Sequence, residues 1–238
     1  MPLERRDFSR RAHLSELMDG PSTYEEFRAC LRDLAKVNKT VSAYSPTLRW
    51  MAQFAGKRDV PLHIVDAGCG GGDVLRRIRR WASEQNIQVK LTGIDVNPYA
   101  TRAAQEFTTD RNGIRWITTN ALAYQPDEPV DVVISALLTH HLHNDAIVQF
   151  LRWMERTAKL GWFVNDLHRK RMPYYGFKTL AWAMQWHNFV RHDGPVSILR
   201  GFSRTDWESY CAAADLSERK VEIEERWLAR LCVSRVKR

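Results

Sequence analysis

Cysteine is scarce and scattered in this sequence. The four residues, Cys30, Cys69, Cys211 and Cys232, form no Cys-x-x-Cys pair. That excludes a cysteine-rich zinc site or a disulfide framework and fits a reducing cytoplasm. No apolar run approaches the roughly 20 residues of a membrane span, so no transmembrane segment is expected. The opening stretch MPLERRDFSRR carries charge without an apolar core, so no secretory signal is expected either. There is no internal repeat and no low-complexity tract. No Lys-Ser or Lys-Thr follows the glycines at 68–72, which excludes a phosphate-cradling P-loop.

What is present is a chain of 238 residues, 44% of them hydrophobic, enough for one large domain or a domain with a cap. The net charge is +8, but basic residues mix with acids along most of the chain. The Arg76–Arg80 cluster falls on a helix and reads as its solvated face. Nine tryptophans and seven tyrosines are more informative. Several fall between residues 174 and 207, where aromatic side chains would wall a pocket for an apolar or aromatic ligand.

The chain is organised around residues 63–75. Ile64-Val65 reads as a buried strand ending in Asp66, glycines follow at 68, 70, 71 and 72, and Val74, Leu75 and Ile78 begin a helix. Strand, glycine turn and helix make a nucleotide-binding unit, because glycine lets the chain turn sharply and lets a ligand approach the backbone. The acid at position 66 repels pyrophosphate but suits a cationic amino group. A second strand, Val89–Asp95, also ends in an acid, which fits an acceptor for ribose hydroxyls.

Alternation continues with strands at 114–118, 130–135 and 161–164 and helices from Pro98 and Asn144. This implies an α/β fold with a mostly parallel sheet covered on both faces. Val221–Trp227 and Ala229–Val236 are too close for a helical crossover and read as an antiparallel pair. Residues 1–60 read as mainly helical. Their clearest stripe is Phe27, Cys30, Leu31, Leu34 and Val37 behind a Ser22 or Thr23 cap. The stretch 167–204 breaks the alternation.

The pattern Asp66-x-Gly68-x-Gly70-x-Gly72, with Asp95 closing the next strand, resembles motif I of class I S-adenosylmethionine (SAM)-dependent methyltransferases. More narrowly, His140-His141-Leu142 and Trp162 to Arg169 resemble bacterial small-molecule methyltransferases of polyketide and phenolic-lipid pathways. The resemblance implies a Rossmann-like sheet of seven strands, with 1–60 as a helical lid, 61–238 as the SAM-binding domain and 167–204 as a substrate-binding insertion. It implies that Asp66, Gly68, Gly70 and Gly72 hold the methionine part of SAM. Asp95 would take the ribose, Val96 would flank the adenine, Asn120 and Ala121 would lie at its edge, and Ser135 would lie near the sulfonium.

SAM brings its own electrophile, so the protein must position the acceptor and often supply a base. His141 or His140 is the candidate, since an imidazole titrates near neutrality; the other reading makes them residues that orient the loop. Asn165, Asp166, His168, Tyr174, Trp182, Trp186 and His192 are the candidate substrate contacts, and His187 lies in the same stretch. Metal-dependent relatives carry an Asp-Asn pair after strand five and an Asp after strand four. Here the order is Asn165-Asp166 and Ser135 stands at the other position, so no metal is expected. The expected reaction is O-methylation of a small aromatic or lipidic acceptor in the cytoplasm, as part of secondary metabolism. Two other readings are an RNA or protein methyltransferase and a non-catalytic partner subunit. No Asn-Pro-Pro-Tyr follows strand four, and the intact glycine loop argues for cofactor binding.

Overall fold

A computed structural model describes residues 7–56, 58–109, 113–186 and 188–237; His187 lies outside them. Seven strands form one sheet: β1 (Leu62–Ala67), β2 (Val89–Asp95), β3 (Ile114–Thr118), β4 (Val130–Ala136), β5 (Ala158–Leu167), β6 (Val221–Arg226) and β7 (Arg230–Val236). Their order is β3-β2-β1-β4-β5-β7-β6. The first five run parallel, and β7 runs antiparallel to both β5 and β6. The order reverses direction between β1 and β4, which leaves a crevice at their carboxyl ends.

Ile64-Val65 of β1 and Val132-Val133-Ile134 of β4 are consecutive apolar residues because helices cover both faces of the sheet. On one face Leu75 and Ile78 of α3 (Asp73–Glu84) and Met51 of α2 (Ser45–Met51) pack on Ile64, Val132 and Phe163. On the other, Phe150 and Met154 of α5 (Asn144–Thr157) and Trp207 of α8 (Arg204–Ala213) pack on Val65, Val133 and Trp162. Helix α1 (Tyr24–Thr40) leaves the sheet and lies on α4 (Pro98–Phe107) through Phe27, Leu31, Ala100 and Ala103. Thr23 caps α1 in a capping box with Glu26.

Two stretches differ from the expectation. The segment before α1 is not helical: among the described residues it is irregular except for one turn at Leu17–Asp19. Hydrogen bonds to other elements hold it instead. Ala12 N donates to Leu199 O, and Arg169 donates to the Phe8 and Ser9 carbonyls. The segment after β5 folds into α6 (Arg171–Ala183) and α7 (Asn188–Arg200). Helix α7 continues through Gly194-Pro195 and packs against α6 and the turn at Leu17–Asp19.

Candidate active site

A cavity of about 830 Å³ opens over the carboxyl ends of β1, β2 and β4. The glycine loop forms its floor. Gly68, Gly70 and Gly72 all have positive φ, which a side chain disfavours. A Cβ on Gly72 would sit 2.2 Å from the Trp116 ring, and one on Gly68 would meet Leu138 at 2.8 Å. The turn is therefore fixed by the loop's own packing as well as by any ligand.

Asp66 lines this floor and is 1% exposed, yet neither carboxylate oxygen has a hydrogen-bond partner within the protein. Burial, with Asp73 and Asp95 close by, pushes its pKa well above the ordinary carboxylate range. A buried carboxylate left unpaired is costly, so the site is built for a cationic partner. Asp95 is held differently. It accepts from Gly70 N and from Asn97 N, each at 2.9 Å, while burial raises its pKa. Val96 follows as an exposed apolar lid on the same wall.

The second wall carries the histidines. A helical turn at Thr139–His141 follows β4. His140 is buried, its Nδ1 lies 2.7 Å from Asp166 Oδ1, and its backbone N–H donates to Asp166 Oδ2. Burial works against the Asp166 carboxylate, but the His140 charge and the hydrogen bonds from His140, Thr139 and Leu167 outweigh it and hold its pKa low. With the proton on Nδ1, Nε2 is the free acceptor. That atom faces Glu16, 3.8 Å from Oε1. His141 is more open: its Nδ1 lies 3.3 Å from Asp19 and its Nε2 3.8 Å from Glu16 Oε2. The two imidazoles lie 4.2 Å apart between centroids.

Glu16 and Asp19 belong to the N-terminal strap, which α7 holds down. Asp193 accepts from the Leu17 and Met18 backbone N–H groups, and Ser197 donates to Glu16 at 2.8 Å. Arg200 reaches Asp19 at 2.8 Å and donates to the carbonyls of Leu14 and His140. Burial raises the pKa of Glu16, against the pull of His141 and Arg200. Glu16, His140 and His141 could each offer one ligand atom within 4.8 Å of the others, the one such grouping among the described residues. Arg200, 3.5 Å from Glu16, already brings a positive charge there.

Several residues singled out from the sequence lie elsewhere. Ser135 Oγ donates to Ala67 O and ties β4 to β1 inside the sheet. Asn120 is exposed and its side chain accepts from Leu122 N, so it and Ala121 cap a turn outside the cavity lining. Asn165 donates to Ala43 O and Thr47 Oγ1, which anchors the α1–α2 connection to β5. Asp166 sits behind His140 and not on the cavity surface. His168 is buried beside Glu225, and His192 turns to Asp193.

The aromatic count selected the wrong face of α6. Tyr174 packs on Phe8, Trp182 is 69% exposed and Trp186 leans on Phe177. The lining stripe is Pro173, Gly176, Phe177 and Leu180, three and four residues apart. Glu16, Asp19, Asp193, Arg200 and Arg230 line or brace the cavity and carry no local motif. The α1 stripe from Phe27 to Val37 was visible in the sequence, and it faces the cavity.

Comparison with known proteins agrees with this fold. Residues 64–161 match the family model described as a methyltransferase domain. No curated protein matches the chain. Among solved structures the chain is similar to a plantazolicin methyltransferase, BpumL, at 14% identity and a TM-score of 0.61, covering 90% of this chain and 97% of that one. It is also similar to magnesium protoporphyrin IX methyltransferase (ChlM) from Synechocystis PCC 6803, at 12% identity and a TM-score of 0.53, with 93% and 88% covered. Human N-acetylserotonin methyltransferase aligns at 15% identity and 0.58, over 90% of this chain but 56% of its own length. The sheet order is that of the class I SAM-dependent methyltransferase fold, and residues 64–161 match a methyltransferase domain. In this site Asp66 is the buried carboxylate free to take a cationic group, and Asp95 is held by the Gly70 and Asn97 backbone.

Proposed function

We propose that this enzyme methylates a hydroxyl oxygen on a small, mainly apolar acceptor, with His140 as general base. The observation that carries this reading is the 2.7 Å contact between His140 Nδ1 and Asp166. A buried carboxylate behind an imidazole fixes its tautomer and stabilises the imidazolium that forms when the ring takes a proton. Bound SAM would supply an electrophilic methyl group on a positively charged sulfur, whose bond to that carbon breaks and returns its electron pair to sulfur, leaving neutral S-adenosylhomocysteine. His140 Nε2 accepts the hydroxyl proton as the acceptor oxygen bonds to that methyl carbon, and Asp166 holds the ring in place throughout. His141, tied to Asp19, orients the strap and is the weaker candidate.

The remaining site assignments belong to the same reading. Asp66, Gly68, Gly70 and Gly72 hold the amino-acid end of the cofactor, Asp95 its ribose and Val96 one face of its adenine. The N-terminal strap with α1 forms a lid over residues 61–238, and 167–204 supplies the acceptor wall through Phe177 and Leu180. The apolar stripes of α1 and α6 support an aromatic or lipidic acceptor in place of nucleic acid. Four buried free thiols fit a cytoplasmic enzyme of secondary metabolism, and no helix among the described residues is long and apolar enough to cross a membrane. The reaction proceeds without a metal, because Arg200 occupies the electrostatic role beside Glu16.

The test is a SAM-dependent screen of phenolic, quinone and fatty-acyl acceptors read by mass spectrometry, run with and without EDTA. An O-methylated product formed equally in both supports the reading. Product formed only with added divalent metal, or methylation of nitrogen alone, contradicts it.

A further inference from the structure

Arg230 opens β7 at the rim of the sheet, opposite Leu167 of β5. It lines the cavity and is 4% exposed, yet Nε and Nη1 have no hydrogen-bond partner. Burial pushes the guanidinium pKa down, while nearby Asp166 opposes that shift. A guanidinium stays charged in proteins, so an unpaired buried one calls for an anionic ligand, as Asp66 calls for a cationic one. The two do not satisfy each other. Asp66 lies next to the end of β1 and Arg230 begins β7, with β4 and β5 between them. Asp66 is level with Ser234, so three strands at about 4.8 Å and four residues at about 3.3 Å put their backbones roughly 19 Å apart.

We propose that Arg230 receives a carboxylate inside the cavity, so that one of the two ligands is anionic at that end. A carboxylate fits better than a phosphate dianion. Its two oxygens match the guanidinium fork, and Asp66, Asp95, Glu16 and Asp19 on the same cavity would repel a second negative charge. Strand order puts Arg230 beside the His140–Asp166 pair, on the acceptor side, which favours a carboxylate carried by the acceptor. The other source is the α-carboxylate of SAM itself. The inference rests on the reading that the cavity takes SAM and acceptor together. Its test reads binding and not turnover, so failure of His140 as the base would leave it intact.

The test is calorimetry on wild type, Arg230→Met and Arg230→Lys with two matched pairs of probes. One pair is S-adenosylhomocysteine (SAH) and its analogue lacking the α-carboxylate. The other is dodecanoate and 1-dodecanol, each titrated into SAH-saturated enzyme. An acceptor carboxylate predicts that Arg230→Met weakens dodecanoate about 30-fold, leaves dodecanol and SAH within about threefold, and is partly rescued by lysine. A cofactor carboxylate predicts the same pattern for SAH against its decarboxylated analogue. The proposal is overturned if a variant with the wild-type melting temperature binds all four probes like wild type. It is equally overturned if wild type fails to distinguish the acid from the neutral member of both pairs, a comparison that needs no variant to fold.

Discussion

The two ends of the cavity handle charge in opposite ways. At the glycine loop the decisive group, Asp66, is buried and unpaired. At the β4–β5 rim Arg230 is the exception among charged groups that already have partners: His140 with Asp166, His141 with Asp19, Arg200 with Asp19 and Glu16, and Asp193 with the strap backbone. The first end binds by leaving a cost for the ligand to relieve. On the proposed reading, the second works by holding His140 in one tautomer and one position before the acceptor arrives. Unpaired charge suits tight selection of one constant cofactor, and preorganised pairing suits chemistry that needs a fixed geometry.

The largest effect should come from breaking the preorganised end. Asp166→Asn and His140→Ala should each lower kcat about 10²–10⁴-fold while SAH affinity changes less than about threefold. If His141→Ala costs more than His140→Ala, the base belongs to the other imidazole.

Next comes Gly72→Ala at the cofactor end. Its Cβ would meet the Trp116 ring at 2.2 Å in a backbone of φ +74°, so a loss of about 2–4 kcal/mol in unfolding stability is expected. Denaturant melts check this, and a variant as stable as wild type would mean that the loop relaxes freely.

A smaller change follows from Arg200→Ala. It frees the strap from α7, so amides of residues 12–19 should exchange about 10-fold faster or more while those of β1 keep their protection.

Smallest are the aromatics of α6. Trp182→Ala should leave the acceptor KM within about twofold, whereas Phe177→Ala should raise it several-fold. The reverse ranking would reassign the acceptor wall.

The same contrast explains what the sequence made legible. The cofactor end is written in one contiguous stretch plus Asp95, because a backbone turn needs particular residues at particular spacings. The sheet was legible for a similar reason, since strand and helix periods repeat locally. The acceptor end draws Glu16, His140, Asp166, Asp193, Arg200 and Arg230 from across the chain, and no local spacing links them. Counting aromatics led to Tyr174 and Trp182 because composition reports a helix's content and not which face it buries. Asn165 and Ser135 lie at strand ends as the topology rule requires, but their side chains satisfy backbone carbonyls inside the scaffold.

The most direct measurement is calorimetric titration of SAH into wild type and Asp66→Asn, in buffers of different ionisation enthalpy. Burial raises the pKa of Asp66 in the free protein, and pairing with an ammonium lowers it again. SAH binding on the acidic side of that raised pKa should therefore release a proton in wild type, and affinity should fall as pH drops. Asp66→Asn should bind about 100-fold or more weakly and release no proton through this position. Equal affinity and equal proton release in the two proteins would contradict the account.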